Sequence, residues 1–182
     1  MVIGLCTGAV RPAEACLNGV IMERDQAVKR IARAQRAVKR GKYRRALRLL
    51  EADHYMVETR LLGKIGYIKA VSRLRLGKTR SAERYFRRRL KADKDNPLLL
   101  TRLAEALAKR RGDDPIEAWK ILDGLEKKDL IPDAHGYAAL ALLRKRASDE
   151  DGYDRAVTAC RRMAPESKIC PKPRGPKHFA RR

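Results

Sequence analysis

The stretch GDDPIEAWKILDGL, residues 112–125, decides how the chain is read. Gly112 is placed to end one helix, Asp114 to cap the next, Pro115 to occupy its first turn and Glu117 to complete a capping box. Ala118, Ile121, Leu122 and Leu125 then recur at helical spacing, with Trp119 beside the stripe. The glycine-then-alanine phrase occurs earlier as GKYRRA, residues 41–46, and GKTRSA, residues 77–82, and in looser form as DGYDRA, residues 151–156. Ala46, Ala82, Ala118 and Ala156 follow one another at intervals of 36, 36 and 38 residues. A period of that size predicts a helical repeat array.

Upstream, the helical pattern starts near Val20. Ala27, Ile31, Ala34 and Val38 make a narrow apolar stripe, and Lys29, Arg33, Arg36 and Arg40 repeat the same spacing on the opposite side, the most basic face in the chain. Gly41 closes this helix, and Tyr43, Ala46, Leu47 and Leu50 face a partner from the next one. The second unit, from about Val57, carries Leu61, Leu62, Ile65, Ile68, Ala70, Val71 and Leu74 on a long helix that ends near Gly77. Gly63 and Gly66 lie inside it at a cost of about 1 kcal/mol each, which close approach by a neighbouring helix would offset. Ala82, Tyr85, Phe86 and Leu90 form the partner stripe, flanked by the run Arg87, Arg88, Arg89.

Asn96 caps the third unit with Pro97 in its first turn, followed by Leu99, Leu103, Ala106 and Leu107. Asp133 caps the fourth, whose helices present Tyr137, Ala138, Leu140, Ala141 and Leu143, then Tyr153, Ala156, Val157, Cys160 and Met163. No sustained period of two appears, so no strand is expected. The expected fold is all-α, eight helices in four antiparallel pairs over residues 20–163.

The ends differ from this body. Residues 1–16, MVIGLCTGAVRPAEAC, have the small, apolar character and the A-x-A ending of a truncated signal peptide, yet lack a basic n-region; a disordered or packed N-terminus is the alternative. Export to the periplasm or cell surface and a cytoplasmic location both stay open. Residues 164–182 are basic and proline-rich, and are expected as a flexible or extended tail. Cys160 and Cys170 are near enough to form a terminal staple in an oxidising compartment, or else stand as a buried hydrophobe and an exposed thiol. No stretch approaches the ~20 apolar residues of a membrane span.

The formal net charge is +22, from 44 Lys and Arg against 22 Asp and Glu, which draws anions without selecting one. The scattered His54, His135 and His178 and the absence of a C-x-x-C pair speak against a metal site, and no cofactor is expected. No G-x-S-x-G, phosphate-loop, H-E-x-x-H or dinucleotide motif occurs, so catalysis is not expected. Asp113, Asp114 and Asp133 are read as caps. Glu83, Glu105 and Glu117 are read as surface partners of nearby Lys or Arg, and His54 and His135 as polar residues at helix boundaries.

In its repeating phrase the chain resembles the tetratricopeptide repeat family over about residues 24–163. The family's Gly-x-Tyr-x-x-Ala is met in full by Gly41, Tyr43 and Ala46; Thr79 replaces the tyrosine in the second unit, and the third has one extra residue between Gly112 and Ala118. The fourth keeps Tyr153 and Ala156 but moves its glycine to Gly152. The resemblance implies a right-handed α-solenoid whose concave groove binds a partner protein, and a basic groove would favour an acidic segment of that partner through charge-assisted hydrogen bonds. It places Gln35, Lys39, Lys64, Tyr67, Arg75, Arg102, Lys109, Arg110 and Lys145 near that groove. The function it implies is a non-catalytic interaction scaffold, with self-association through the repeat ends left open. The alternative is a binder of nucleic acid or another anionic polymer, using Lys29, Arg33, Arg36, Arg40, Arg87, Arg88, Arg89 and the tail.

Overall fold

A computed structural model describes the backbone of residues 12–51, 58–110 and 115–173, with side chains from residue 24 onward in those ranges. The expectations for residues 1–11, His54, Gly112, Asp113, Asp114 and the tail beyond residue 173 lie outside the described residues. Among the described residues there are eight helices: α1 (Pro12–Lys39), α2 (Tyr43–Leu49), α3 (Thr59–Arg75), α4 (Thr79–Leu90), α5 (Pro97–Ala108), α6 (Ile116–Lys127), α7 (Ala134–Arg146) and α8 (Glu150–Met163). Among the described residues there is no strand. The chain is all-α.

Helix α1 starts at Pro12, upstream of the start expected near Val20. Proline suits a first helical turn because its missing N–H has no intrahelical partner there.

Two compact units divide the chain, one ending at Ser72 and the other beginning at Arg73. In the first, Ile31, Ala34 and Ala37 of α1 pack with Ala46 and Leu50 and with Ile65 and Ile68 of α3. Val38, expected in the buried stripe, lies at its edge while Ala37 takes the inner place. The close approach expected at Gly63 is not found, since a Cβ there would meet open space.

In the second unit α5 packs against α4, α6 and α7, and α7 against α6 and α8. Its core runs from Ala104 and Ala108 through Ala118, Leu122, Leu125, Ile131 and Leu140 to Ala156, Val157 and Cys160. Helices α5 and α7 come so close that a Cβ on Gly136 would lie 2.7 Å from Thr101 Cγ2 of α5, and Ile131 in the link before α7 would stand 2.5 Å away. The alanines of the repeated phrase, Ala46, Ala82, Ala118 and Ala156, all have 0% exposure. A methyl group is what lets the helix at each of these positions approach its neighbours closely.

Four helices end in the same way. Lys42 N–H donates to Ala37, Lys78 to Arg73, Leu130 to Leu125 and Asp149 to Arg144, at 2.8–2.9 Å. In each case the residue before the donor is left-handed: Gly41 (φ 69°), Gly77 (φ 79°), Asp129 (φ 53°) and Ser148 (φ 57°). This six-to-one bond closes a helix that would otherwise leave carbonyls unpaired, and glycine serves it best. Gly152 is therefore not the turn glycine of the fourth unit. It sits inside α8, where a Cβ would collide with the Asp149 carboxylate and with Arg144.

Since the left-handed conformation costs an ordinary L-residue about 1–2 kcal/mol, partly offset by glycine's freedom in the unfolded chain, Ser148→Gly should stabilise the protein by up to about 1 kcal/mol. A urea titration showing a lower midpoint for Ser148→Gly would contradict this account of the turn.

The caps divide. Asn96 accepts from Leu99 N–H at 3.0 Å with Pro97 beginning α5, and Asp133 accepts from His135 and Gly136 N–H at 3.1 and 3.2 Å, both as expected. Pro115, expected inside the first turn of α6, stands at its N-cap with no side-chain cap bond. Glu117 makes no capping box: its carboxylate accepts two bonds from Arg87, at 2.8 and 2.6 Å. A fork across to another helix satisfies both oxygens, which a lone backbone N–H cannot do.

Candidate functional site

The nine groove residues fall into separate settings. In the first unit Gln35 and Lys39 of α1 and Tyr67 of α3 line one cleft of about 400 Å³ with Arg36, Ala32, Val38, Ile68 and Val71. Periodicity explains the convergence: 32, 35, 36 and 39 lie on one face of α1, and 67, 68 and 71 on one face of α3. Ile68 and Val71 are buried as its floor, while Gln35, Arg36 and Lys39 are exposed around it. Lys64, one turn before Ile68, is exposed and does not line the cleft.

In the second unit Arg75, Arg102 and Lys109 converge on a single carboxylate. Glu105, 1% exposed, accepts from the Arg75 guanidinium, from Arg102 at 3.3 Å and from Lys109 Nζ at 2.7 Å. Arg102 also forks onto Asp133, the N-cap of α7. Glu105 was expected on a helix surface, and it is instead the centre of a buried network. The reason is geometric: Arg102 and Glu105 share one face of α5 with Lys109 at its C-cap, and Arg75 and Asp133 meet that face from other elements.

Three cations here face two carboxylates, and the imbalance appears in the titrating groups nearby. Burial pushes His135 down to about 3, helped by Arg75 and Arg102 and opposed by Asp133, so its imidazole is neutral at pH 7. Burial also pushes Lys109 down to about 8, with Arg75 and Arg102 adding to it. Its bond to Glu105 acts the other way, but that carboxylate is divided among three donors. Burial works to raise Asp133, yet the Arg102 bonds hold it below the usual carboxylate range.

The remaining groove residues are peripheral to this network. Arg110 reaches Glu83 at 2.6 Å, and Glu83 also takes Arg87 at 3.0 Å. Lys145 lines a cleft of about 330 Å³ with Ser148, Asp149, Glu150 and Tyr153 at the α7–α8 turn.

The alternative anion-binding set divides as well. Arg33, Arg36 and Arg40 line a cleft of about 280 Å³ with Ala37, Lys42, Arg45 and Leu49, and Lys29 is exposed outside it. Arg87 is held by Glu83 and Glu117, and Arg88 and Arg89 are exposed on α4. Lys42 and Arg45 completed this cleft without being anticipated; the signal was the Gly41 turn, which folds them back beside the α1 arginines.

The expected tail begins differently. Cys160 and Cys170 are disulfide-bonded, Tyr153 Oη donates to the Lys172 carbonyl at 2.9 Å, and Arg161 donates to the Pro171 carbonyl at 3.2 Å. Residues 164–173 are thus fastened to α8 and are not a free extension. Among the described residues no three His, Cys, Asp or Glu side chains are grouped to hold a metal, and no helix is long and apolar enough to cross a membrane.

These elements define an all-α protein of packed helices carrying two cation-lined clefts in its first unit and a buried ionic network in its second. Compared with models of protein families, with curated proteins and with solved structures, the chain matches none.

Proposed function

We propose that the chain is a non-catalytic interaction module, a solenoid of the tetratricopeptide kind, that binds a partner protein through an acidic segment with apolar side chains. The observation that carries this reading is the α1–α3 cleft. Its floor of Ile68 and Val71, with Tyr67 beside them, suits apolar anchors, and Lys39 and Arg36 at its rim suit carboxylates. The buried network favours this cleft over Arg75 and Arg102, whose buried guanidiniums already donate to Glu105 and Asp133. The Cys160–Cys170 bond supports an oxidising compartment as its location.

The test uses a labelled amphipathic helical peptide with leucine on one face and glutamate on the other, read by fluorescence anisotropy. Its counterpart with lysine in place of glutamate is the control. The acidic peptide binds and the basic one does not, and Lys39→Glu weakens the acidic peptide about tenfold or more, since like charges brought together cost several kcal/mol. Equal binding of both peptides, or no change on Lys39→Glu together with Tyr67→Ala, would remove the basis for this reading.

A further inference from the structure

We propose that the cleft between α1 and α2 is a binding site for a ligand carrying a run of adjacent phosphate groups. Arg33 and Arg36 of α1 and Arg40 just past its end recur at i, i+3 and i+7, and Lys42, Arg45 and Leu49 repeat that spacing from the turn into α2. Because the left-handed Gly41 folds α2 back on α1, the two rows face each other across one cavity of about 280 Å³. Ala37 and Leu49 supply its apolar part, and no carboxylate lines it.

The contrast with the second unit carries the argument. There Arg75, Arg87, Arg102, Arg110 and Arg144 each donate to a carboxylate. In this cleft none of the five cations has an ion pair or side-chain hydrogen bond with another described residue. Five like charges held around one cavity repel one another, and a polyanion relieves that repulsion.

The chemistry of the ligand follows from the lining. Guanidinium forks match phosphate oxygens two at a time. From Arg33 to Arg40 the helix rises roughly 10 Å, further than one phosphate reaches, so several linked groups are needed to meet the row. No aromatic side chain lines the cavity on which a base would stack, so the phosphates are what is recognised. Inorganic polyphosphate and the phosphate chain of a nucleoside triphosphate share this chemistry. The site shares Arg36 with the α1–α3 cleft but does not rest on the peptide reading.

The test is calorimetric titration of the full chain with tripolyphosphate, ATP, adenosine and a single-stranded RNA oligonucleotide. The variants are Arg33→Ala/Arg45→Ala in the cleft and Arg88→Ala/Arg89→Ala as a control at exposed cations elsewhere. Tripolyphosphate and ATP bind at one site and adenosine does not; the cleft variant weakens both at least tenfold and the control variant leaves them unchanged. Equal affinities point to free polyphosphate as the source and a tighter ATP to a nucleotide. Equal weakening by both variants, or RNA binding that exceeds tripolyphosphate and depends on the control arginines, overturns the proposal in favour of diffuse charge. Arg40→Glu, with a circular dichroism spectrum matching the parent, must abolish binding as a second check. The peptide assay leaves Arg33 and Arg45 intact, so either reading fails without the other.

Discussion

Glu105→Leu lowers the melting temperature by roughly 10 °C. The substituted residue is close in volume and equally helical, so packing and propensity change little. What changes is charge: the carboxylate between Arg75, Arg102 and Lys109 is removed while the guanidiniums, 6% and 7% exposed, stay where they are. Removing one side of a buried ion pair costs about 3–5 kcal/mol because the other side keeps its desolvation penalty. Arg75→Met is milder, since Glu105 retains Arg102 and Lys109. Thermal and urea unfolding followed at 222 nm compares the two; a Glu105→Leu protein as stable as Arg75→Met would mean that Glu105 is not the hub of the network.

Loss of the Cys160–Cys170 bond is the second large effect, about 2–4 kcal/mol. The bond closes a short loop of sequence separation 10, so part of the effect is the freedom returned to the unfolded chain. The rest is local, because Cys170 is 6% exposed and belongs to the same core as Cys160 and Tyr153. Cys170→Ser and a reducing agent should lower the melting temperature of the parent equally, by roughly 5–10 °C, and the agent should then do nothing further to Cys170→Ser. Proteolysis within residues 164–173 should accelerate in both cases. A melting curve indifferent to reductant would show that the segment is held by its hydrogen bonds from Tyr153 and Arg161 instead.

What was legible in the sequence was whatever depends on neighbours along the chain. Asn96 and Asp133 cap as read, because a cap needs only a side-chain oxygen and an N–H two or three residues on. The alanine stripes and the Gly41 and Gly77 turns are equally local. What was hidden depends on residues far apart. Glu117 left its own helix terminus for Arg87, and Glu105 took Arg75, each 30 positions away. Arg75 and Arg102, counted as groove cations by their place in the repeat, are consumed by carboxylates whose positions periodicity does not reveal. Gln35, Lys39 and Tyr67 did meet at one cleft, because spacing puts each on the right face of its own helix and the packing of α1 against α3 brings those faces together.

The four fully enclosed alanines also act as a gauge block. With side chains this short, neighbouring helices can sit toward the near end of the usual spacing of about 8–10 Å, and the chain entering or leaving need only arrive in a left-handed state. Glycine, aspartate and serine all serve for that arrival here. Tolerance to change is therefore concentrated at the corners and withdrawn from the gauge positions.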